Sequence, residues 1–135
     1  NVRELTPEAI GGTVDLVVAD LSFISLATVL PALVSCSGAQ ADIVPMVKPQ
    51  FEVGREQVGT GGVVSDPGLR ARAVLGVAAR AGELGWQTVG VTASALPGPS
   101  GNVEYFLWLR AQTQRGLTGE ALDGAVNRAV AEGPQ

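Results

Sequence analysis

Three charged residues stand at the margins of apolar runs. Asp20 closes Val14–Ala19, Lys48 closes Ala41–Val47, and Glu104 opens the run that holds Phe106 and Trp108. Two carboxylates around one amine can hold, orient and move a proton near neutral pH, because a carboxylate fixes an ammonium and a lysine in a partly dry site can release its proton. Lys48 is the only lysine beside eight arginines. Arginine cannot be deprotonated in a protein, so the one position that keeps a titratable cation is the candidate for base or hydroxyl-orienting chemistry. Each residue also has a plainer reading: Lys48 as a snorkelling strand-end cation, Asp20 as a helix N-cap, Glu104 as a solvated charge. Only convergence of the three favours chemistry.

The composition narrows the choice further. The chain has no histidine, which removes Ser-His-Asp and Cys-His nucleophile pairs and most catalytic zinc sites, so no metal is expected. Acid–base work then falls to carboxylates, to Lys48 or to Tyr105. Cys36, the single cysteine, lies among apolar neighbours and reads as a small buried hydrophobe. A net charge of −4 leaves no basic stripe for tight nucleic-acid binding, so RNA affinity must come mainly from elsewhere. At 135 residues and 46% hydrophobic content the chain suits one core. It shows no spanning apolar run and no leader, so a soluble, cytoplasmic monomer is expected.

The elements that must position these charges follow from periodicity. Residues 14–20 read as a central parallel strand buried on both faces, and 24–36 as a helix with Ser25 as N-cap and Pro31 a possible kink. Residues 42–48 give a second strand, held extended at its end by Pro49. Segment 51–65 is glycine-rich and reads as a long, mobile rim loop. Gly59–Gly62 lacks the context of a phosphate loop. Asp66 and Pro67 open a helix that Gly85 closes. Strands follow at 87–94 and 103–110, joined by a Pro/Gly turn at 95–102, and an amphipathic helix runs from Thr118. The pattern is α/β, a mostly parallel sheet with helices on both faces, and the short link between the last two strands makes the last one antiparallel. Its start then lies on the rim where Asp20 and Lys48 emerge, which gathers charges 28 and 56 positions apart.

Three segments, Asp15–Ser25, Val47–Glu56 and Leu96–Phe106, resemble the TlyA-type, hemolysin-like rRNA 2′-O-methyltransferases of the FtsJ-like Rossmann superfamily. The match reaches from the start to about Arg110, and the arginine- and alanine-rich composition resembles the mycobacterial branch. The resemblance implies the C-terminal part of a Rossmann-like class I methyltransferase fold across residues 1–135, with the glycine-rich cofactor motif and a small RNA-binding domain expected upstream. It implies S-adenosylmethionine as cofactor, rRNA of both ribosomal subunits as partner, and cytidine as the target. Of a Lys-Asp-Lys-Glu centre it assigns Asp20, Lys48 and Glu104, with the first lysine upstream. It also implies cofactor contacts at Asn1, Val2, Asp20 and Leu21, and RNA contacts at Phe51, Arg55, Ser100 and Asn102. Two rivals stand beside it. A membrane-lytic reading suffers from the acidic polar face of the terminal helix (Glu120, Asp123, Glu132), the wrong sign for anionic lipid. A non-catalytic Rossmann-like binding module is the other.

Overall fold

The helix starts are written in side chains. In the computed structural model, which describes residues 1–135, Ser25 Oγ accepts from Ala27 N at 3.2 Å and opens α2 (Leu26–Ser35). Asp66 Oδ1 accepts from Gly68 N at 2.9 Å ahead of Pro67 and opens α3 (Pro67–Glu83). Pro31 sits inside α2 and has no N–H to give the Ala27 carbonyl. Arg80 of α3 donates its Nε to that carbonyl at 3.3 Å, so the defect in one helix becomes a contact with the next. Gly85, at φ 84°, turns the chain out of α3. A short α1 (Pro7–Ile10) precedes them, and α4 (Gly119–Glu132) follows with Val126, Ala129 and Val130 buried.

Four strands, β1 (Val14–Ala19), β2 (Ser37–Val47), β3 (Gln87–Ala93) and β4 (Tyr105–Arg110), form one sheet in the order β1-β2-β4-β3. β1 and β2 are parallel, while β4 is antiparallel to both β2 and β3. Three strands therefore share a direction and β4 alone opposes them. The reversed last strand agrees with the sequence reading, but the sheet is mixed rather than mostly parallel. The link from β3 to β4 is too short for a crossover, so β4 folds back beside β3, and its place between β3 and β2 makes both of its ladders antiparallel. β2 also starts at Ser37, earlier than its apolar run indicates, and β4 starts after Glu104.

The core lies on one face of the sheet. Ile43, Val47, Tyr105, Leu107 and Leu109 join side chains of α2, α3 and α4 in a single buried cluster. The alternate strand residues Leu16, Val18, Val44, Met46, Phe106 and Trp108 take no part in it. β1 is thus an edge strand with Leu16 60% and Val18 71% exposed, which corrects both the doubly buried central strand and the helices on two faces. The uninterrupted apolar run does mark a strand with two apolar faces, but within these residues only one is covered.

Leu107, fully buried at the centre of β4, sets a stability test. Leu107→Ala is expected to cost about 2–5 kcal/mol in urea denaturation, whereas Thr92→Ala on the exposed face stays within about 0.5 kcal/mol.

Candidate active site

The rim site begins with strand register. β1 and β2 run parallel with Ala19 opposite Pro45, so both strands end on one rim and release Asp20 and Lys48 there. The antiparallel ladder of β2 and β4 ends with Val47 opposite Tyr105, and one step further along it Lys48 faces Glu104. Lys48 is 7% exposed. Its Nζ lies 2.6 Å from Asp20 Oδ1 and donates to Ser22 Oγ at 3.1 Å. Asp20 keeps a side-chain exposure of 68%, and its second oxygen carries no hydrogen bond.

Glu104 stands beside this pair without joining it. It is 6% exposed, forms no ion pair with Lys48, and its Oε1 is buried with no hydrogen-bond partner. The carboxylate lies against the turn at Gly98, where any Cβ would collide with it. The expected three-way ion cluster is therefore an Asp20–Lys48 pair with an adjacent buried carboxylate, because the Glu104 side chain folds toward the 98–101 turn.

The expected RNA contacts divide. Arg55 and Ser100 are exposed, Ser100 at φ 61° at the tip of its turn. Phe51 is half-buried with its ring centroid 5.0 Å from that of Phe23. Asn102 is not a surface contact: it is 2% exposed, its Oδ1 accepts from Val64 N at 3.0 Å and its Nδ2 donates to Gly62 O at 2.8 Å. Arg70, also buried, donates its Nε to Val64 O at 2.9 Å. Segment 51–65 is consequently not a free loop. It carries short 3-10 turns at Arg55–Gln57 and Thr60–Gly62 and is clasped to the Glu104 turn by Asn102.

At the other end of the chain, Asn1 caps the 3-10 turn Val2–Glu4 through Arg3 N, and Val2 and Leu21 pack against the core. Tyr105 is fully buried in that core. Burial pushes its hydroxyl above its ordinary range, partly opposed by the nearby Arg70 guanidinium, which removes it from acid–base work near neutral pH.

Two site residues escaped the sequence reading. Ser22 binds the Lys48 ammonium, and Glu52 accepts from Ser25 Oγ at 2.6 Å and from Leu26 N at 2.8 Å. Both lie inside the quoted motif segments, two residues after Asp20 and four after Lys48. That proximity was the available signal. Burial raises the Glu52 carboxyl above 4.5, opposed by its bonds to Ser25 and Leu26.

A sulfonium cofactor of the kind the resemblance implies is cationic, and the rim offers it the free, solvent-exposed Asp20 oxygen.

Residues 1–111 match the family model for FtsJ-like methyltransferases. The chain is 75% identical over 134 residues to the 16S/23S rRNA (cytidine-2′-O)-methyltransferase TlyA of Mycobacterium tuberculosis, covering 99% of this chain and 50% of that protein. It is 34% identical over 95 residues to the 23S rRNA (cytidine-2′-O)-methyltransferase TlyA of Campylobacter jejuni, covering 70% of this chain and 37% of that protein. A solved structure described as a hemolysin of Streptococcus thermophilus superposes with a TM-score of 0.85 at 31% identity, covering 98% of this chain and 48% of that one. The chain spans about half the length of the curated relatives it matches first.

The Glu52 geometry sets a pH test. A raised carboxyl binds its proton more tightly folded than unfolded, so its contribution to stability is full below the unfolded value and is lost as pH rises through the folded one. Glu52→Gln is expected to flatten the fall in stability that begins near the ordinary carboxyl value and continues above it, read as the urea midpoint. A wild-type midpoint that climbs relative to the variant across that range contradicts the assignment.

Proposed function

Because the chain belongs to the FtsJ-like methyltransferase family, we propose that it is the catalytic half of an S-adenosylmethionine-dependent 2′-O-methyltransferase acting on cytidine in the rRNA of both ribosomal subunits. The observation that carries this reading is the buried Lys48 ammonium, 2.6 Å from Asp20 and beside a buried, unpartnered Glu104 on one rim. The activities named for the two TlyA relatives support the substrate assignment.

When bound, S-adenosylmethionine supplies an electrophilic methyl group. The chain's own residues do the rest. Asp20 orients the Lys48 ammonium and leaves a carboxylate oxygen for the cationic donor. Lys48 positions the ribose 2′-hydroxyl in line as the ammonium; in the base role its ammonium first releases a proton to solvent, and the neutral amine then takes the 2′-hydroxyl proton as the oxygen attacks. Glu104 receives the polar group that approaches its buried oxygen and so fixes the hydroxyl side of the pocket. Arg55 and Ser100 contact the RNA backbone at the rim, and Phe51 offers an aromatic surface beside them. Asn1, Val2 and Leu21 would help to hold the cofactor.

The same reading accounts for the open sheet face. We propose that residues 1–135 are the C-terminal part of a Rossmann-like class I domain, whose preceding part brings the glycine-rich cofactor loop and covers Leu16 and Val18. A lytic role is disfavoured. No helix is long and apolar enough to cross a membrane, and the apolar face of α4 is already spent in the core through Val126 and Val130.

Two experiments test these statements. Lys48→Arg keeps the charge but removes the deprotonatable amine, and in the complete protein it is expected to lower transfer of labelled methyl to rRNA by about 100-fold or more with an unchanged circular dichroism spectrum. Near-normal transfer in that variant overturns the role of Lys48. Val18→Asp is expected to change the stability of this chain alone by less than about 0.5 kcal/mol, yet to destabilise the complete protein by several times as much. Equal effects in the two contexts overturn the coverage of β1.

A further inference from the structure

Lys48 and Asp20 are carried by separate loops, and those loops are joined a second time. Glu52 lies four residues beyond Lys48, and Ser25 and Leu26 lie five and six residues beyond Asp20. The Glu52 carboxylate accepts a hydrogen bond from the Ser25 hydroxyl on one oxygen (2.6 Å) and from the Leu26 backbone N–H on the other (2.8 Å). Between the two joints Phe23 and Phe51 pack ring against ring at 5.0 Å. Phe23, 89% exposed, has φ 61°, in the left-handed region that bulky residues seldom occupy.

Ser25 caps α2 through Ala27 N, which leaves the Leu26 N–H unserved, and Leu26 is 3% exposed, so that amide needs a partner from the protein rather than from water. What a carboxylate from a different loop adds is a tether between loops. Its negative charge at the helix N-terminus makes that tether stronger than a neutral bond.

We infer that Glu52 is a positioning residue, whose carboxylate fastens the turn after Lys48 to the loop after Asp20 and thereby sets the geometry of the Lys48–Asp20 pair. Glu52 is not catalytic: both its oxygens are engaged with Ser25 and Leu26, and it bonds to neither Lys48 nor Asp20. Burial raises its carboxyl, a cost the fold tolerates at this joint. The inference rests on the proposed reading that Lys48 and Asp20 form the reactive pair.

The test is steady-state methyl transfer to rRNA by the complete protein, with thermal melts of each variant. Glu52→Ala is expected to lower kcat about 10- to 100-fold, the scale on which small misplacement of reacting groups acts, with both KM values within about twofold of wild type. Glu52→Gln keeps an acceptor for Leu26 and a partner for Ser25, and is expected to restore kcat to within a few-fold of wild type.

Unchanged kcat in folded Glu52→Ala overturns the inference, as does an effect confined to KM or a loss that Glu52→Gln fails to rescue. Should Glu52→Ala not fold, Ser25→Ala removes the shorter of the joint's two bonds from the other side. A several-fold fall in its kcat supports the tether, and an unchanged kcat overturns it. Lys48→Met is the separate arm: an active Lys48→Met protein defeats the reactive pair itself, whereas inactive Lys48→Met beside fully active Glu52→Ala defeats only the positioning role.

Discussion

A lysine that is 7% exposed at the end of an interior strand cannot leave its charge uncompensated, because a buried ammonium without partners is far more costly than any contact its stem could make. Lys48 meets that demand with Asp20 at 2.6 Å and Ser22 at 3.1 Å, both on the loop that leaves β1. The pairing constrains much of the rim. β1 and β2 must be parallel and in register to end together, and the loop after β1 must double back over the strand end. The positive φ at Phe23 and the Glu52 joint follow from the same turn.

A second carboxylate is brought to the rim by the reversal of β4. Because β4 lies between β2 and β3 and runs against both, its first residues meet the last residues of β2. The turn before it is kept in shape by Asn102, which reaches Gly62 and Val64, and by the absence of a side chain at Gly98, which leaves room for Glu104. Loop, turn and strand end are thus one hydrogen-bonded unit. Such a unit can hold a buried carboxylate oxygen in place for a substrate or cofactor group without spending its acceptor capacity beforehand.

The sheet divides its two faces between tasks. One face carries the core with α2, α3 and α4. The other presents Leu16, Val18 and Trp108 outward, Trp108 donating its Nε1 to Asp42 at 2.7 Å. An edge strand with two apolar faces is an unusual surface for a free domain and an ordinary one for part of a larger sheet. The coverage of about half the length of the first relatives is consistent with that division.

Local chemistry was legible in the residues themselves. Asp66-Pro67 and Gly85 bound α3, Ser25 starts α2, the short link after β3 reverses β4, and the apolar runs of β1 and β2 end at Asp20 and Lys48, because caps, turns and strand ends depend on a few adjacent positions. The identity of the rim charges was therefore visible without coordinates. Their partners were not. That Glu104 turns to Gly98 instead of Lys48, that Asn102 is spent on the rim loop, and that Glu52 reaches across to Leu26 depend on where side chains separated by tens of residues come to rest. Periodicity reports which residues can be buried, but only packing decides which face is covered and which donor reaches which acceptor.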